Sequence, residues 1–419
     1  MPINEKLMID GGEPVRKGPW PRRMHVDYME FAEVMGVITA AAKDPEKLWR
    51  TGGPKVKEFE ESFAAFHGLK YGVSSSTGTA AVHLPILALT GIEQKLEPGS
   101  EVITTPITDP GTVMPIILHN LIPIFADVDP LTLNITPESV EKCITDKTRA
   151  IIAVHLAGLV VDMDGIMKLA RKHDLVVIED CAQAHGAEYK GKMVGSIGDY
   201  GCFSLMAGKH ITSGGEGGMT ITKTEEAWKN LHYVARSRWM PHSEIGSGIP
   251  WPLLNYRMTE MQAACGIAQL PKLPSIVSRR RELNRRLEAG LSRLSTVKPS
   301  KIVEGSKPSY WFSMIHVDTS AIRVSLDRFA EALGKEGIPC GARYIAIPMY
   351  EFGFIKDRQD RYPWTLPDAR KGIVYKNSCP NTVKALNSVI TVELHEGCTE
   401  KEVDDIITAV KKVEAHYAK

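Results

Sequence analysis

Several features are scarce in this 419-residue chain, and each scarcity removes a class of protein. There is no excess of charge. Lys and Arg number 51 and Asp and Glu 50, a net charge of +1, so neither nucleic acid nor a membrane surface is the expected main partner. Cysteine is sparse: seven residues, an odd number, run from Cys143 to Cys398 without a CxxC pair. A disulfide framework or zinc site is not expected, and a reducing compartment is. No stretch reaches eighteen apolar residues, and "MPINEKLMIDGGEPVRKG" lacks the apolar core of a signal peptide. The expectation is a soluble, cytoplasmic protein. Repeats and low-complexity tracts are missing too.

Two nucleotide motifs are also wanting. Gly208–Lys209 could end a P-loop, but Phe203 stands where its first glycine belongs and His210 where Ser or Thr belongs. The glycines at 214–218 do not follow a strand in GxGxxG spacing. "VELHEGC" at 392–398 does not by itself make a metal site, so no metal is expected.

What is present is an α/β rhythm. "YGVSSSTGT" (71–79) leads into an apolar helix at 80–90. "EVITTP" (101–106), "IPIFADVD" (122–129), "AIIAVHLAG" (150–158) and "LVVIEDCAQ" (175–183) read as strands, with a helix at 163–173 between the last two. β-Branched runs bounded by polar turns and alternating with helices predict a mainly parallel, buried sheet. "YGCFSL" (200–205) and "GGMTITK" (217–223) are two further short strands. A charged helix at about 275–295 begins beyond Pro271 and Pro274, the candidate domain boundary. Its run "SRRRELNRR" (278–286) reads as the wet side of an amphipathic helix. Strands and helices then mix as in a smaller α+β domain. Residues 1–25 read as an irregular arm.

The chemistry gathers at strand ends, where parallel sheets form their sites. Thr77, Gly78 and Thr79 open a helix and suit either a phosphate or a plain N-cap. Asp180 ends a strand after four apolar residues, as a helix cap or as the partner of a buried cation. Lys209 sits between a strand and a glycine loop, with Ser204 five residues before it. Pyridoxal phosphate explains all of these together. Its ring nitrogen is the cation, its phosphate the anion, and its aldehyde the Schiff-base partner of a desolvated lysine.

These residues resemble a known family. "STGTAA", "VIEDCAQAHGA", "FSLMAGKHITSGGEGG" and "LLNYRMTEMQAACGIAQL" look like the markers of DegT/DnrJ-type sugar and aminocyclitol aminotransferases. The likeness extends to "LMIDGGEPVRKGPWP", "GGPKVKEFEESFAAFHG" and "HEGCTEKEVDDII", and so to nearly the whole chain. It implies an aspartate-aminotransferase-like fold. An N-terminal arm and large cofactor-binding domain, with a mainly parallel central sheet flanked by helices, would span 1–270. A small C-terminal α+β domain would span 271–419. The implied cofactor is pyridoxal 5′-phosphate. The implied partners are an amino-acid donor, glutamate or glutamine, and a keto-sugar or keto-cyclitol acceptor, as in amino-sugar biosynthesis.

Residue by residue, the resemblance implies that Lys209 carries the Schiff base and moves a proton, and that Asp180 pairs with the pyridinium nitrogen. Gln183 would contact the cofactor near its 3′-hydroxyl or phosphate side. Gly78, Thr79 and Ser204 would hold the phosphate, and Asn255 would reach it from a neighbouring subunit of a homodimer. Two departures stand out. Asp109 in "TTPITDPGTV" occupies the place of a usual stacking aromatic, or simply caps the following helix. An extra glycine, Gly214, lets His210 compete with Lys209 for the lysine position by count from the loop. The preceding strand favours Lys209. A dehydratase branch has histidine there, so a sugar dehydratase is the alternative, with a non-catalytic cofactor-binding regulator as a third reading. Arg343, His185, His155, Trp20, Trp49 and Arg257 are weaker site candidates.

Overall fold

A computed structural model describes residues 6–23, 25–48, 52–236, 254–367 and 369–419. Nine strands form in the first half: β1 (Tyr71–Ser75), β2 (Glu101–Thr104), β3 (Ile122–Phe125), β4 (Thr148–Val154), β5 (Val176–Asp180), β6 (Glu188–Tyr189), β7 (Lys192–Met193), β8 (Tyr200–Ser204) and β9 (Gly218–Thr222). Seven of them make one sheet in the order β1-β9-β8-β5-β4-β2-β3. Pairing is parallel from β3 through β8, and β9 alone runs against both its neighbours. The parallel strands are buried on both faces, which is why they read as continuous apolar runs rather than alternating ones.

Helices cover both faces. Helix Gly78–Gly91 is buried from Ala80 through Thr90, so its sequence is apolar all round. Helix Met163–His173 has a one-sided pattern, with Asp162 accepting from Gly165 N at its start. Its last turn carries Arg171, Lys172 and His173, suited to the negative end of the helix dipole, and Asp174 ends it in the left-handed region.

The second half adds β10 (Val297–Pro299), β11 (Ser306–Lys307), β12 (Ser313–Val317), β13 (Cys340–Ala342) and β14 (Val389–Val392). Four of these form an antiparallel sheet, β10-β12-β14-β13. β11 instead joins the β6–β7 hairpin, a small third sheet of strands too short to stand out in the sequence.

One placement differs from the sequence reading. The basic run lies on helix Leu273–Leu291, but it is not uniformly a wet face. Arg279 and Arg286 reach Glu400 and Asp404 near the surface, whereas Arg280 is fully buried and pairs with Glu396 at 2.7 Å. The N-terminal arm is irregular, as expected, and is packed onto the rest of the molecule. Leu7 is buried in one cluster with Leu283, Val317 and Ile390, and the Met8 and Val15 amides donate to the Glu336 carboxylate. Lys412 completes that carboxylate's partners at 2.9 Å.

Candidate active site

The parallel register brings the carboxyl ends of four strands to one level. Val154 lies opposite Asp180, Asp180 opposite Cys202, and Gly218 bridges Ser204 and Ser75. A cleft of about 310 Å³ opens there. Gly78, Thr79, Asp180, Gln183, Ser204 and Lys209 all line it. Segments more than a hundred residues apart in sequence thus meet in one place.

At one end of the cleft a helix begins. The Thr77 side chain accepts from Ala80 N, so the plain N-cap is real. It leaves the N–H groups of Gly78 and Thr79 without acceptors inside the helix. Gly78 has to be glycine for a steric reason. A β-carbon there would lie 2.5 Å from the Ser204 β-carbon and 2.8 Å from its Oγ. Bare backbone N–H groups, a helix dipole and a serine hydroxyl therefore share one small cradle, the chemistry of a phosphate site.

At the other end lies Asp180, a buried carboxylate. Its Oδ2 accepts from Thr112 Oγ1 at 2.7 Å and its Oδ1 from Ala182 N at 3.1 Å. Burial holds its carboxyl above the ordinary range, while those two donors and Lys209 pull the other way. It makes no ion pair among the described residues. A buried acid without a salt-bridge partner, at the floor of a cleft, fits a ligand that brings its own cation. The cradle and this carboxylate together match pyridoxal phosphate.

Lys209 is buried, its amide donating to Met206 O at 2.9 Å. Burial lowers its ammonium to about 8, against the upward pull of Asp180, Asp109 and Glu216. Its Nζ sits 3.6 Å from the centroid of the Trp311 ring. The indole is held from both sides, with Trp311 N donating to Ala157 O and Nε1 to Gly208 O.

His210 takes a different course. It is fully buried, and its Nε2 contacts Ser309 O at 3.1 Å, away from the cleft lining. The strand, rather than the glycine count, fixes which side chain enters. The extra glycine is absorbed in the loop, where Gly214 takes φ +85°.

The other candidates separate clearly. Gln183 lines the cleft with both ends of its amide engaged: Oε1 accepts from Ala157 N and Nε2 donates to Tyr344 OH. Asp109 does both things considered for it, capping Pro110–Leu118 through Gly111 N and facing the cleft. Asn255 is exposed and outside the cleft of its own chain; its Oδ1 accepts from Arg257 N. Arg343 is held in a fork by Asp327 at 2.8 and 3.0 Å. His155 is a core histidine on Glu179, and His185 is a buried ring packed edge-on to Phe203. Trp20 packs on the core beneath Arg16. Trp49 lies outside the described residues.

Four site residues escape sequence reasoning: Thr112, Glu216, Trp311 and Tyr344. Only Trp311 had a visible signal, as a tryptophan in the aromatic run "SYWF", and nothing local ties that run to Lys209.

Comparison with known proteins gives the family. The family described as the DegT/DnrJ/EryC1/StrS aminotransferase family matches residues 37–411. A putative L-glutamine:3-amino-2,3-dideoxy-scyllo-inosose aminotransferase of Micromonospora echinospora is 33% identical over 428 residues, covering 98% of this chain and 97% of that protein. The solved structure of an aminotransferase from Psychrobacter cryohalolentis superposes with a TM-score of 0.79 at 30% identity, over 96% of this chain and 99% of that one. A GDP-4-keto-6-deoxymannose-3-dehydratase, solved with a trapped PLP-glutamate geminal diamine, is 26% identical with a TM-score of 0.79, over 95% and 100% of the two chains. The strand-end lysine and carboxylate, the glycine-opened helix and a match across most of its length lead to one conclusion: this chain belongs to the DegT/DnrJ/EryC1/StrS aminotransferase family.

Proposed function

We propose that this chain transfers an amino group from glutamine or glutamate to a keto-sugar or keto-cyclitol. It is a pyridoxal-phosphate-dependent aminotransferase. The carrying observation is the convergence of Lys209, Asp180 and the Gly78–Ser204 cradle in one cleft. When bound, the cofactor supplies an electron sink through its protonated ring. Asp180 would accept from the protonated ring nitrogen, and the first turn of helix Gly78–Gly91 with Ser204 Oγ would hold the phosphate. Gln183, fixed by Ala157 N and Tyr344, supports the same floor. Lys209 Nζ has its ordinary basicity lowered by burial, so it can take and return the proton at the donor's α-carbon near neutral pH.

A homodimer with shared sites belongs to this reading. Asn255 is exposed and does not line the cleft of its own chain, which suits a role across a subunit boundary. Helix Tyr28–Lys43 supports it too, exposing Tyr28, Phe31, Met35 and Ile38 on one face. We also propose the cytoplasm as compartment, supported by seven free thiols, and a division of the chain at 270/271 into a large and a small domain.

The dehydratase relative keeps a second reading open, in which a sugar loses a hydroxyl instead of gaining nitrogen. Lys209 in the cleft with His210 turned away favours amination. The test is borohydride reduction of the holoenzyme with peptide mapping, together with incubation with glutamine or glutamate and a panel of keto-sugars and keto-cyclitols. A pyridoxyl label on Lys209, release of the 2-oxo acid and an aminated ring are expected. A label elsewhere, or a deoxygenated product, overturns the reading.

A further inference from the structure

Trp311 is fastened to the lysine loop and its surroundings at three points. Its N donates to Ala157 O at 2.9 Å, its Nε1 donates to Gly208 O at 2.7 Å, and its own carbonyl accepts from buried Arg280. Gly208 is the residue before Lys209, so indole and lysine are tied to one short stretch of chain. Lys209 Nζ lies 3.6 Å from the centre of the ring. The titratable groups that act on Lys209 are Asp180 at the end of β5, Asp109 before helix Pro110–Leu118, and Glu216 in the glycine loop; His185, beside it, is held neutral by burial. Asp180 answers to the cofactor's ring nitrogen in the reading above. Asp109 and Glu216 are exposed, where water and salt screen them. The negative π face of the indole is the close, fixed counterpart of Nζ.

We propose that Trp311 is a positioning residue for the proton transfer: its ring face holds Lys209 Nζ while the amine is free and stabilises the positive charge that Nζ gains on taking the donor's α-proton. The proposal rests on the aminotransferase reading and adds a residue to its proton step. In that step the donor's Cα–H bond breaks and an Nζ–H bond forms. The electron pair stays with the carbon and spreads into the bound cofactor's ring, and the neutral amine becomes an ammonium. Burial keeps enough of the amine neutral to react, but it makes the ammonium costly. A tryptophan face offsets that cost without an ion pair, which would lock the lysine in its charged form. The attraction also extends to about 6 Å from the ring centre, so Nζ can swing toward a substrate and return without losing it.

Two variants separate the ring face from everything else this residue does. Trp311→Phe and Trp311→Leu both remove the Nε1–H, whose partner Gly208 O belongs to an exposed residue that water can satisfy. The two new side chains are similar in size, and only phenylalanine keeps a π face. Both keep the backbone bonds to Ala157 and Arg280. On the cofactor-free protein, reductive methylation by formaldehyde and cyanoborohydride is followed across pH. Peptide mass spectrometry at Lys209, scaled to the exposed lysines of the same digest, reads the fraction of neutral amine. We expect the Lys209 midpoint in Trp311→Leu to lie about half a pH unit or more below that in Trp311→Phe, with the wild type at or above Trp311→Phe. In the loaded enzyme, above both midpoints, exchange of the α-hydrogen of glutamine or glutamate with solvent deuterium should be about twofold or more slower in Trp311→Leu than in Trp311→Phe. Equal midpoints, a higher midpoint in Trp311→Leu, or equal exchange rates overturn the proposal. The premise fails on a different result: no exchange in the wild type, or a borohydride label away from Lys209, sinks the aminotransferase reading, and the midpoints still decide whether Trp311 holds the lysine's charge.

Discussion

Lys209 is subject to two opposed influences. Burial lowers its ammonium to about 8, while Asp180, Asp109 and Glu216 raise it. The Trp311 face, 3.6 Å from Nζ, also attracts the charged form. In the cofactor-free protein, uptake of pyridoxal phosphate should therefore rise with pH and level off above about 8, well below the ordinary 10.5. Stopped-flow absorbance checks this, and a rise continuing past pH 10 contradicts it. The stability consequence has a definite sign. Between about 8 and 10.5 the unfolded chain binds more protons at this site than the folded one, so this residue's contribution to stability rises with pH across that window. Below it, the burial penalty is present in full. Thr112 is the matching test at the other end of the cleft. Thr112→Val removes the 2.7 Å hydrogen bond to Asp180, worth about 1.5–3 kcal/mol for a charged acceptor. The dissociation constant for pyridoxal phosphate should rise by roughly ten- to a hundredfold, measured by equilibrium titration.

Helix Gly78–Gly91 shows what an element contributes beyond its residues. Its first turn is pressed so close to β8 that an added methyl group meets Ser204. Gly78→Ala must push helix and strand apart, at a cost of about 1–3 kcal/mol. Cofactor affinity should fall by tenfold or more, read by the same titration, with the far-ultraviolet spectrum kept. This helix and the main strands were legible, the helix as an apolar run too long for a strand and the strands as short β-branched runs bounded by turns, whereas the order of the strands in the sheet was not. Asp180, Ser204 and Lys209 were legible for the same reason, each sitting at or just beyond a strand end. Thr112 and Tyr344 were not. They reach the cleft from a neighbouring helix and from beyond β13, and no local pattern records which distant strand end they face. Arg280 was misread on similar grounds. A helix that is basic along three consecutive positions looks solvated, yet one of those positions points at Glu396, more than a hundred residues later. The short strands of the third sheet left no period to read.

The whole molecule is tied together behind the site. Buried Arg280 donates to the carbonyls of Tyr310 and Trp311, and Glu396 receives both Arg280 and Arg23. Arg23 in turn donates to the carbonyl of His210, next to Lys209. One carboxylate thus links the N-terminal arm, the long helix and the two segments that press lysine against indole. Glu396→Ala strands a buried guanidinium and should cost about 3–5 kcal/mol, seen as a lower thermal midpoint, with Glu396→Gln milder. The largest scale is the proposed dimer, and Asn255 makes it testable without a structure of the pair. If each cleft takes Lys209 from one subunit and Asn255 from the other, Lys209→Ala alone is inactive and Asn255→Ala alone is weak. In a mixed dimer, one cleft receives both defects. The other receives the intact lysine of the Asn255→Ala chain and the intact asparagine of the Lys209→Ala chain. Equal, freely exchanging chains form mixed dimers half the time, each with one complete cleft, so about a quarter of wild-type activity returns. Clefts built within single subunits give no such return on mixing: activity then stays at the mean of the two pure variants.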